Sequence, residues 1–305
     1  MSPKARTAQA FVPGHITGLF RIFGEHEDPL YRGSKGAGFS ISAGTLTSVT
    51  IREQTEPSIT IEYNNARIDA AVTKTVVEQL MKAYDAILNV EVTHQSELPI
   101  GVGYGASGAG ALGTALALSS LLDMDFDYIK AAQYAHSAEV VNHTGLGDVI
   151  AQTAGGLEVR TKPGAPGIGS VMNVPFPDGQ SVVLAGSTSL ETKKVLTNPE
   201  AQKRINRHGD SLIDDLIQDA SLERIVNASR KFANAIGLMT PRIEDALEEL
   251  DTHGYSLSSM VMLGDSVFCF CDESQIDHVS SILGHHWKPE EISTTNLSPS
   301  GGAIL

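Results

Sequence analysis

Residues 97–113 read ELPIGVGYGASGAGALG and run directly into TALALSSLL at 114–122, a stretch typical of a helix. Glycine in a helix interior costs roughly 1 kcal/mol relative to alanine, so a segment this rich in glycine needs a compensating use. The usual use is a loop whose backbone N–H groups approach a bulky anion at the start of a helix. The segment therefore predicts an anion-binding loop followed by a helix over roughly 105–122.

The composition is that of an ordinary globular protein with an acidic balance. The chain has 305 residues, of which 41% are hydrophobic and 19% charged, and its formal net charge is −14. A body this acidic repels phosphate backbones, which argues against general nucleic-acid binding. An anionic ligand must then be met by a local group of positive charges or by backbone N–H dipoles.

Cysteine usage and hydropathy indicate the compartment. Both cysteines, Cys269 and Cys271, lie in VFCFC, and strand alternation places them on one face. Such a pair is poorly placed for a disulfide, so we expect buried, reduced thiols in a reducing compartment. The N-terminal segment lacks the apolar core of a signal peptide, and no stretch reaches the roughly 18 apolar residues of a membrane span. We therefore expect a cytoplasmic protein with no membrane partner.

Strand and helix patterns alternate without a regular βαβ repeat, which favours an α+β fold. TAQAFVP at 7–13 predicts a short first strand ended by Pro13-Gly14, and a second helix is predicted over roughly 126–141. The stretch KPGAPGIGS at 162–170 is rich in proline and glycine and is the best candidate boundary. We predict an N-terminal domain over 1–162, with the anion loop, and a C-terminal α/β sandwich domain over 163–305.

Two common phosphate-binding loops do not fit the glycine segment. A Walker-type loop needs a lysine after its last glycine, and the chain has no Gly-Lys pair. A dinucleotide-binding GxGxxG does match at Gly103, Gly105 and Gly108, but the preceding SELP breaks the strand that this fingerprint requires. A structural alternative, a tight helix crossing built from small residues, stays open.

PIGVGYGASGA resembles the second motif of the GHMP kinases, whose pattern is Pro-x-Gly-x-Gly-Leu-Gly-Ser-Ser-Ala. The chain departs from it at Tyr104, Ala106 and Gly108. FVPGHITG resembles the first motif, but His15 stands where many members carry lysine or arginine. The resemblance implies a two-domain GHMP kinase fold and phosphoryl transfer from ATP to an alcohol. It also implies nucleotide contacts from a set of loop residues: Pro99, Gly101, Gly103, Tyr104, Gly105, Ala106, Ser107 and Gly108.

The same resemblance implies the catalytic groups. Ser107 and Glu139 match the serine and glutamate that bind Mg²⁺ in the family, and Asp148 in TGLGD matches the catalytic aspartate. An aspartate before VIAQTA is also a good helix N-cap, and the two roles are compatible. Whether Asp148 accepts the hydroxyl proton or only orients the hydroxyl is left open.

Further segments, among them DPLYRGSKGAGFS and TGLGDVIAQTAGGLEVR, resemble an archaeal branch of the family that acts on a small hydroxy acid. This implies substrate contacts from Arg160, His136 and Ser34. The guanidinium of Arg160 suits a carboxylate, and His136 lies three positions before Glu139, on the same side of a helix. Kinases of the homoserine or mevalonate type and a non-catalytic nucleotide-binding member remain alternatives. A homodimer is expected from the resemblance.

Overall fold

The computed structural model describes residues 5–123, 125–177, 179–187 and 197–305, which fold as two β-sheets with helices packed against them. The first sheet has the order β12-β1-β2-β5-β3-β4, with β6 beside β2 and β7 beside β6. Neighbours in it are antiparallel except β3 and β5, which are parallel. Its strands are β1 (Arg6–Phe23), β2 (Gly33–Glu53), β3 (Ser58–Tyr63), β4 (Ala66–Arg67), β5 (Leu88–Ser96), β6 (Leu157–Lys162), β7 (Ser170–Val174) and β12 (Ala303–Ile304).

The second sheet is antiparallel, with the order β11-β8-β10-β9. Its strands are β8 (Gln180–Ser187), β9 (Ser258–Met260), β10 (Asp265–Asp272) and β11 (Ile292–Asn296). The α-helices of the described residues are α1 (Ala71–Ala83), α2 (Ala106–Leu122), α3 (Tyr128–Asn142), α4 (Asp148–Ala154), α5 (Pro199–Gln218), α6 (Leu222–Ile236), α7 (Pro241–Thr252) and α8 (Ile276–Leu283). The predicted α+β class and the two predicted helices after the glycine segment are confirmed.

The first strand differs from the prediction. Pro13-Gly14 does not end it, because β1 continues to Phe23 with a register shift against β2 between Pro13 and Gly14. A bulge is one of the few places where a strand accepts proline, since the ladder hydrogen bond is interrupted there anyway. The continuation carries His15 and Thr17 into the centre of the molecule.

Helix α2 is the central helix of the first layer and packs on β1, β2, α1 and α3. Twelve of its residues are buried, which only a helix of small and apolar side chains allows. Gly113 shows the reason for the small residues, since a Cβ added there would lie 2.9 Å from the Cβ of Thr47 on β2. Gly113 therefore lets α2 lie close against the sheet, a helix-on-sheet contact, while the small-residue helix crossing weighed as an alternative to the loop stays a prediction.

Aromatic contacts join the two sheets. The ring of Phe39 on β2 lies 5.1 Å from the ring of Phe268 and 4.8 Å from that of Phe270, both on β10. Phe20 on β1 meets Phe232 on α6 at 5.9 Å. Each aromatic pair contributes about 0.5–1.5 kcal/mol beyond its buried area. The buried hydrophobic residues of both layers form one continuous core.

The division into domains 1–162 and 163–305 stays a prediction. The first sheet takes in β7 and β12 from beyond residue 162, while the second sheet lies wholly beyond it.

Cys269 and Cys271 are buried on β10 and form no disulfide. Within the described ranges, none of the helices has the length and apolar character that crossing a bilayer requires.

Candidate active site

The glycine segment forms an irregular loop between β5 and α2. Gly101, Gly103 and Gly105 all have positive φ, at 83°, 89° and 70°, a region where a side chain is strained. Gly105 is the N-cap of α2 and has no side chain to accept hydrogen bonds from the first turn. The N–H groups and the positive dipole end of a 17-residue helix are therefore available to an anion.

This loop lines a cavity of about 850 Å³. All eight predicted nucleotide-contacting residues face it, as do five of the six predicted catalytic and substrate residues: Ser34, Ser107, Glu139, Asp148 and Arg160. Met262 and Leu263, in the turn before β10, close one side of the cavity. The site thus lies where the two sheets meet.

Neighbouring elements hold the loop in place. The backbone N–H of His15 donates to the carbonyl of Tyr104 at 3.1 Å. The side-chain amide of Gln152 on α4 donates to the carbonyls of Gly105 at 2.9 Å and Pro13 at 3.0 Å. The hydroxyl of Ser266 donates to the carbonyl of Val102 at 2.8 Å, which ties the loop to the second sheet. Sequence reasoning missed Gln152, because nothing in a lone glutamine on a helix indicates its partners.

Ser107 and Glu139 lie in direct contact. The hydroxyl of Ser107 donates to Oε1 of Glu139 at 2.5 Å, and the hydroxyl of Thr144 donates to the same oxygen at 3.0 Å. Glu139 is 2% exposed. The pKa of Glu139 is raised to about 7, because burial and the charge of Asp148 raise it by more than the hydrogen bonds from Ser107 and Thr144 lower it.

These oxygens fit a hard divalent cation. Mg²⁺ takes carboxylate and hydroxyl oxygens and commonly keeps several waters or phosphate oxygens as further ligands. Among the described residues, no group of three or more His, Cys, Asp and Glu side chains is arranged to hold a metal by itself. Glu139 and Ser107 therefore suit a cation that arrives with phosphate oxygens, and such a cation would favour the ionised form of Glu139.

Asp148 is the first residue of α4, and its N-cap is Gly147, so the predicted N-cap role is wrong. The backbone enters the helix one residue earlier than an Asp cap requires. Oδ1 of Asp148 lies 3.1 Å from Nδ1 of His15, and its side chain is 27% exposed to the cavity. Burial raises the pKa of Asp148, but the hydrogen bond from His15 and the charges of His15 and Arg160 outweigh it, and the net pKa is lowered. Asp148 is thus ionised at neutral pH and can accept a proton.

Arg160 is 1% exposed on β6 and borders the cavity. Its Nη1 donates to Oε1 of Glu158 at 2.5 Å, while its Nε is buried without a hydrogen-bond partner among the described residues. A Cβ added to Gly147 would lie 2.9 Å from that Nε and would collide with the hydroxyl of Ser34. Ser34 and Arg160 therefore converge on the space beside Gly147, where an unpaired N–H of a guanidinium suits a carboxylate.

His136 stands apart from this group. It is buried, and its Nε2 lies 2.9 Å from the carbonyl oxygen of Arg32. It is not among the described residues that line the cavity. Burial lowers the pKa of His136, with hydrogen bonds to backbone carbonyls opposing it, so the ring is neutral at physiological pH. Its predicted contact with substrate stays a prediction.

Two buried side chains at the site were not predicted as functional, His15 and Glu158. For His15, the sequence indicates only that it stands where many family members carry lysine or arginine. Glu158 lies two positions before Arg160 in a strand, a spacing that places both side chains on one face of the sheet. That spacing could have indicated the ion pair, whereas no local signal indicates that His15 reaches the same carboxylate.

Two family models and several curated proteins match this chain. The family model described as GHMP kinases N terminal domain matches residues 71–156, and that described as GHMP kinases C terminal matches residues 212–289. The pantoate kinase of Thermococcus kodakarensis is 38% identical over 290 residues, which are 93% of this chain and 94% of the relative. The pantoate kinase of Methanocaldococcus jannaschii is 34% identical over 275 residues, 90% of this chain and 96% of the relative.

A solved structure described as a phosphotransferase related to the CoA biosynthesis pathway has the same fold. It superposes with a TM-score of 0.88 at 34% sequence identity, covering 98% of this chain and 99% of that one. The similarity therefore spans both sheets and the cavity between them.

Proposed function

The chain belongs to the GHMP kinase family, and we propose that it transfers the γ-phosphoryl group of ATP to the terminal hydroxyl of pantoate, in coenzyme A biosynthesis. One observation carries the proposal. One cavity joins the glycine loop, the Ser107–Glu139 pair and Asp148 to a buried arginine whose Nε–H has no partner in the described part of the chain, and the chain is similar over nearly its full length to pantoate kinases.

The chain's own residues divide the chemistry among them. The loop amides and the start of α2 bind the phosphates of ATP, and Arg160 with Ser34 binds the carboxylate end of pantoate. Ser107 and Glu139 would hold Mg²⁺, which when bound neutralises charge on the phosphates. Asp148 orients the terminal hydroxyl and accepts its proton as the new P–O bond forms and the bond to ADP breaks.

The proposal is tested with a panel of acceptors. The protein is incubated with ATP and Mg²⁺ plus pantoate, homoserine or mevalonate, ADP release is followed, and the product is identified by phosphorus NMR. We expect ADP and 4-phosphopantoate with pantoate and far slower release with the other two. Turnover of homoserine or mevalonate without turnover of pantoate would contradict the proposal. ATP binding with no release for any acceptor would instead favour a non-catalytic member.

Replacement of Gly147 probes the substrate clamp. The Cβ in Gly147→Ala presses on Nε of Arg160 and on the hydroxyl of Ser34, but φ at this position is −142°, so the backbone is not strained. We expect the KM for pantoate to rise roughly tenfold, because a loss of about 1.4 kcal/mol of binding free energy corresponds to that factor. The KM for ATP should change little. Steady-state kinetics measure both constants. Gly24→Ala is the control, because its added Cβ meets its nearest neighbour only at 3.8 Å.

Replacement of Gly105 probes the nucleotide loop. Gly105→Ala forces a side chain into φ 70°, with its Cβ 3.0 Å from the backbone nitrogen of His15. The strain of roughly 1–2 kcal/mol is relieved by moving the loop, so we expect the KM for ATP to rise about tenfold. Gly237→Ala is a matched control, because Gly237 has φ 64° at the end of α6 and nothing within 4 Å of the added Cβ. An equal rise in KM for both variants would contradict a role of the loop in binding ATP.

The cytoplasmic location, expected from cysteine usage and hydropathy, stays a prediction, and so does the homodimer implied by the resemblance. Light scattering after size-exclusion chromatography measures the oligomeric state directly.

A further inference from the structure

His15 bridges two carboxylates in the interior of the protein. Its side chain is 0% exposed, Nδ1 lies 3.1 Å from Oδ1 of Asp148, and Nε2 lies 3.1 Å from Oε1 of Glu158. Asp148 is on α4 and Glu158 on β6, so the ring is held from two separate elements. Both ring nitrogens are therefore committed to anionic acceptors.

This arrangement selects one protonation state. A neutral imidazole has one N–H and one lone pair, so one of its nitrogens would direct a lone pair at a carboxylate oxygen. The imidazolium ion donates from both nitrogens and satisfies both carboxylates. The two carboxylate contacts at 3.1 Å thus favour a positively charged His15, because Nε2 of a neutral ring could accept only the longer contact from Nη1 of Arg160 at 3.4 Å.

The local charges give the same answer. Asp148 and Glu158 are negative and Arg160 is positive, so this group carries one net negative charge unless His15 holds a proton. Glu139, whose pKa of about 7 is raised in part by the charge of Asp148, adds only a fraction of a negative charge at neutral pH. Arg160 opposes protonation, since its Nη1 lies 3.4 Å from Nε2 of His15, but Oε1 of Glu158 contacts both cations. Burial lowers the pKa of His15 most strongly of any one cause, but the hydrogen bonds to Asp148 and Glu158 together with the charge of Glu158 outweigh it, so the net pKa is raised.

We propose that His15 is a positioning residue that carries a permanent positive charge, supported by Glu158, and thereby keeps Asp148 ionised and oriented. The hydrogen bond occupies Oδ1 of Asp148 and leaves Oδ2 for the acceptor hydroxyl. Glu158 also shares its carboxylate with Arg160, so it couples the substrate clamp to the proton acceptor. The inference rests on the proposed function for its catalytic consequence, but the charge on His15 can be measured without turnover.

The first test measures that charge by nitrogen NMR on protein labelled in its histidine rings, without substrates. The signals of His15 are assigned by their loss in His15→Asn. We expect both ring nitrogens to be protonated at pH 8, well above the ordinary histidine pKa of about 6.5. A neutral His15 ring at pH 7 in the folded wild-type protein would overturn the inference, whether or not the protein phosphorylates pantoate.

The second test removes the negative charge of Glu158 beside His15. Glu158→Gln keeps the shape of the side chain but removes its negative charge, so we expect the pKa of His15 to fall. In wild type, kcat for pantoate should not fall between about pH 7 and 8.5, while in Glu158→Gln it should fall as the pH rises through that range, because His15 then loses its proton. A purely structural role predicts a loss that is the same at every pH, and that result would overturn the inference.

Glu248→Gln, an exposed change on α7, is the matched control and should leave the profile unchanged. If Glu158→Gln fails to fold, the NMR measurement of the His15 ring charge in the wild-type protein still tests the inference. Absence of turnover in wild type would instead count against the proposed function, with the NMR result unaffected.

Discussion

Asp148→Asn should lower kcat for pantoate phosphorylation by about 10³-fold, within the roughly 10²–10⁴-fold range of general base catalysis. Asparagine has the same shape as aspartate, but its amide cannot accept the hydroxyl proton at neutral pH. The glycine loop and the Ser107–Glu139 pair are untouched, so ATP affinity should stay within about twofold. Single-turnover kinetics and calorimetric titration with ATP measure the two quantities.

The control for this variant is Asp245→Asn, an exposed position on α7 away from the cavity. It should change neither quantity. If Asp148→Asn retained wild-type kcat, Asp148 would have no part in the chemical step. A matching loss of ATP affinity would instead indicate that Asp148 supports the phosphate site.

Asp148 also links pH to stability. Its pKa is lowered in the folded protein from the ordinary value of 3.8. A carboxyl with a depressed folded-state pKa stabilises the protein above its unfolded pKa, and that contribution is lost as the pH falls through the folded-state value. The Tm of Asp148→Asn should therefore lie below that of wild type at pH 7, and the gap should narrow below about pH 4. A gap that is constant with pH would contradict the ion pair with His15.

Arg160 should give the second large effect, in two variants with different outcomes. Arg160→Met removes the cation beside Glu158, a carboxylate that is 0% exposed, and breaking a buried pair in this way costs about 3–5 kcal/mol of unfolding free energy. Urea denaturation measures this loss. Arg160→Lys keeps the charge but loses the planar fork, so the fold should survive while the KM for pantoate rises by roughly 10- to 100-fold.

The kinetic readout separates substrate binding from packing. Arg230→Lys is the control, since Arg230 pairs with Asp251 at 2.9 Å outside the cavity and should leave the KM for pantoate unchanged. A folded Arg160→Lys variant with the wild-type KM for pantoate would remove Arg160 from the substrate site. The KM for ATP should change little in either variant, because the glycine loop lies on another element.

Contiguous residues allowed the sequence to predict the nucleotide half of the site. Residues 99–108 are predicted to bind through backbone N–H groups, and glycine spacing reports backbone conformation directly. The α+β class and the helices after the loop followed from local periodicity for the same reason. The end of the first strand was predicted wrongly, because Pro13-Gly14 stops a regular strand but is tolerated at a bulge, and the bulge depends on the register with β2.

By itself, the sequence determined the family and predicted the glycine loop with Ser107, Glu139 and Asp148 as the chemical groups beside it, residues that line one cavity in the structure. Only the tertiary structure decided what surrounds them: His15 between Asp148 and Glu158, 133 and 143 residues away in the chain, and His136 turned toward a backbone carbonyl. The physical reason is that hydrogen bonds and charges act through space over a few ångströms. Partners brought together by sheet register and helix packing leave no pattern along the chain.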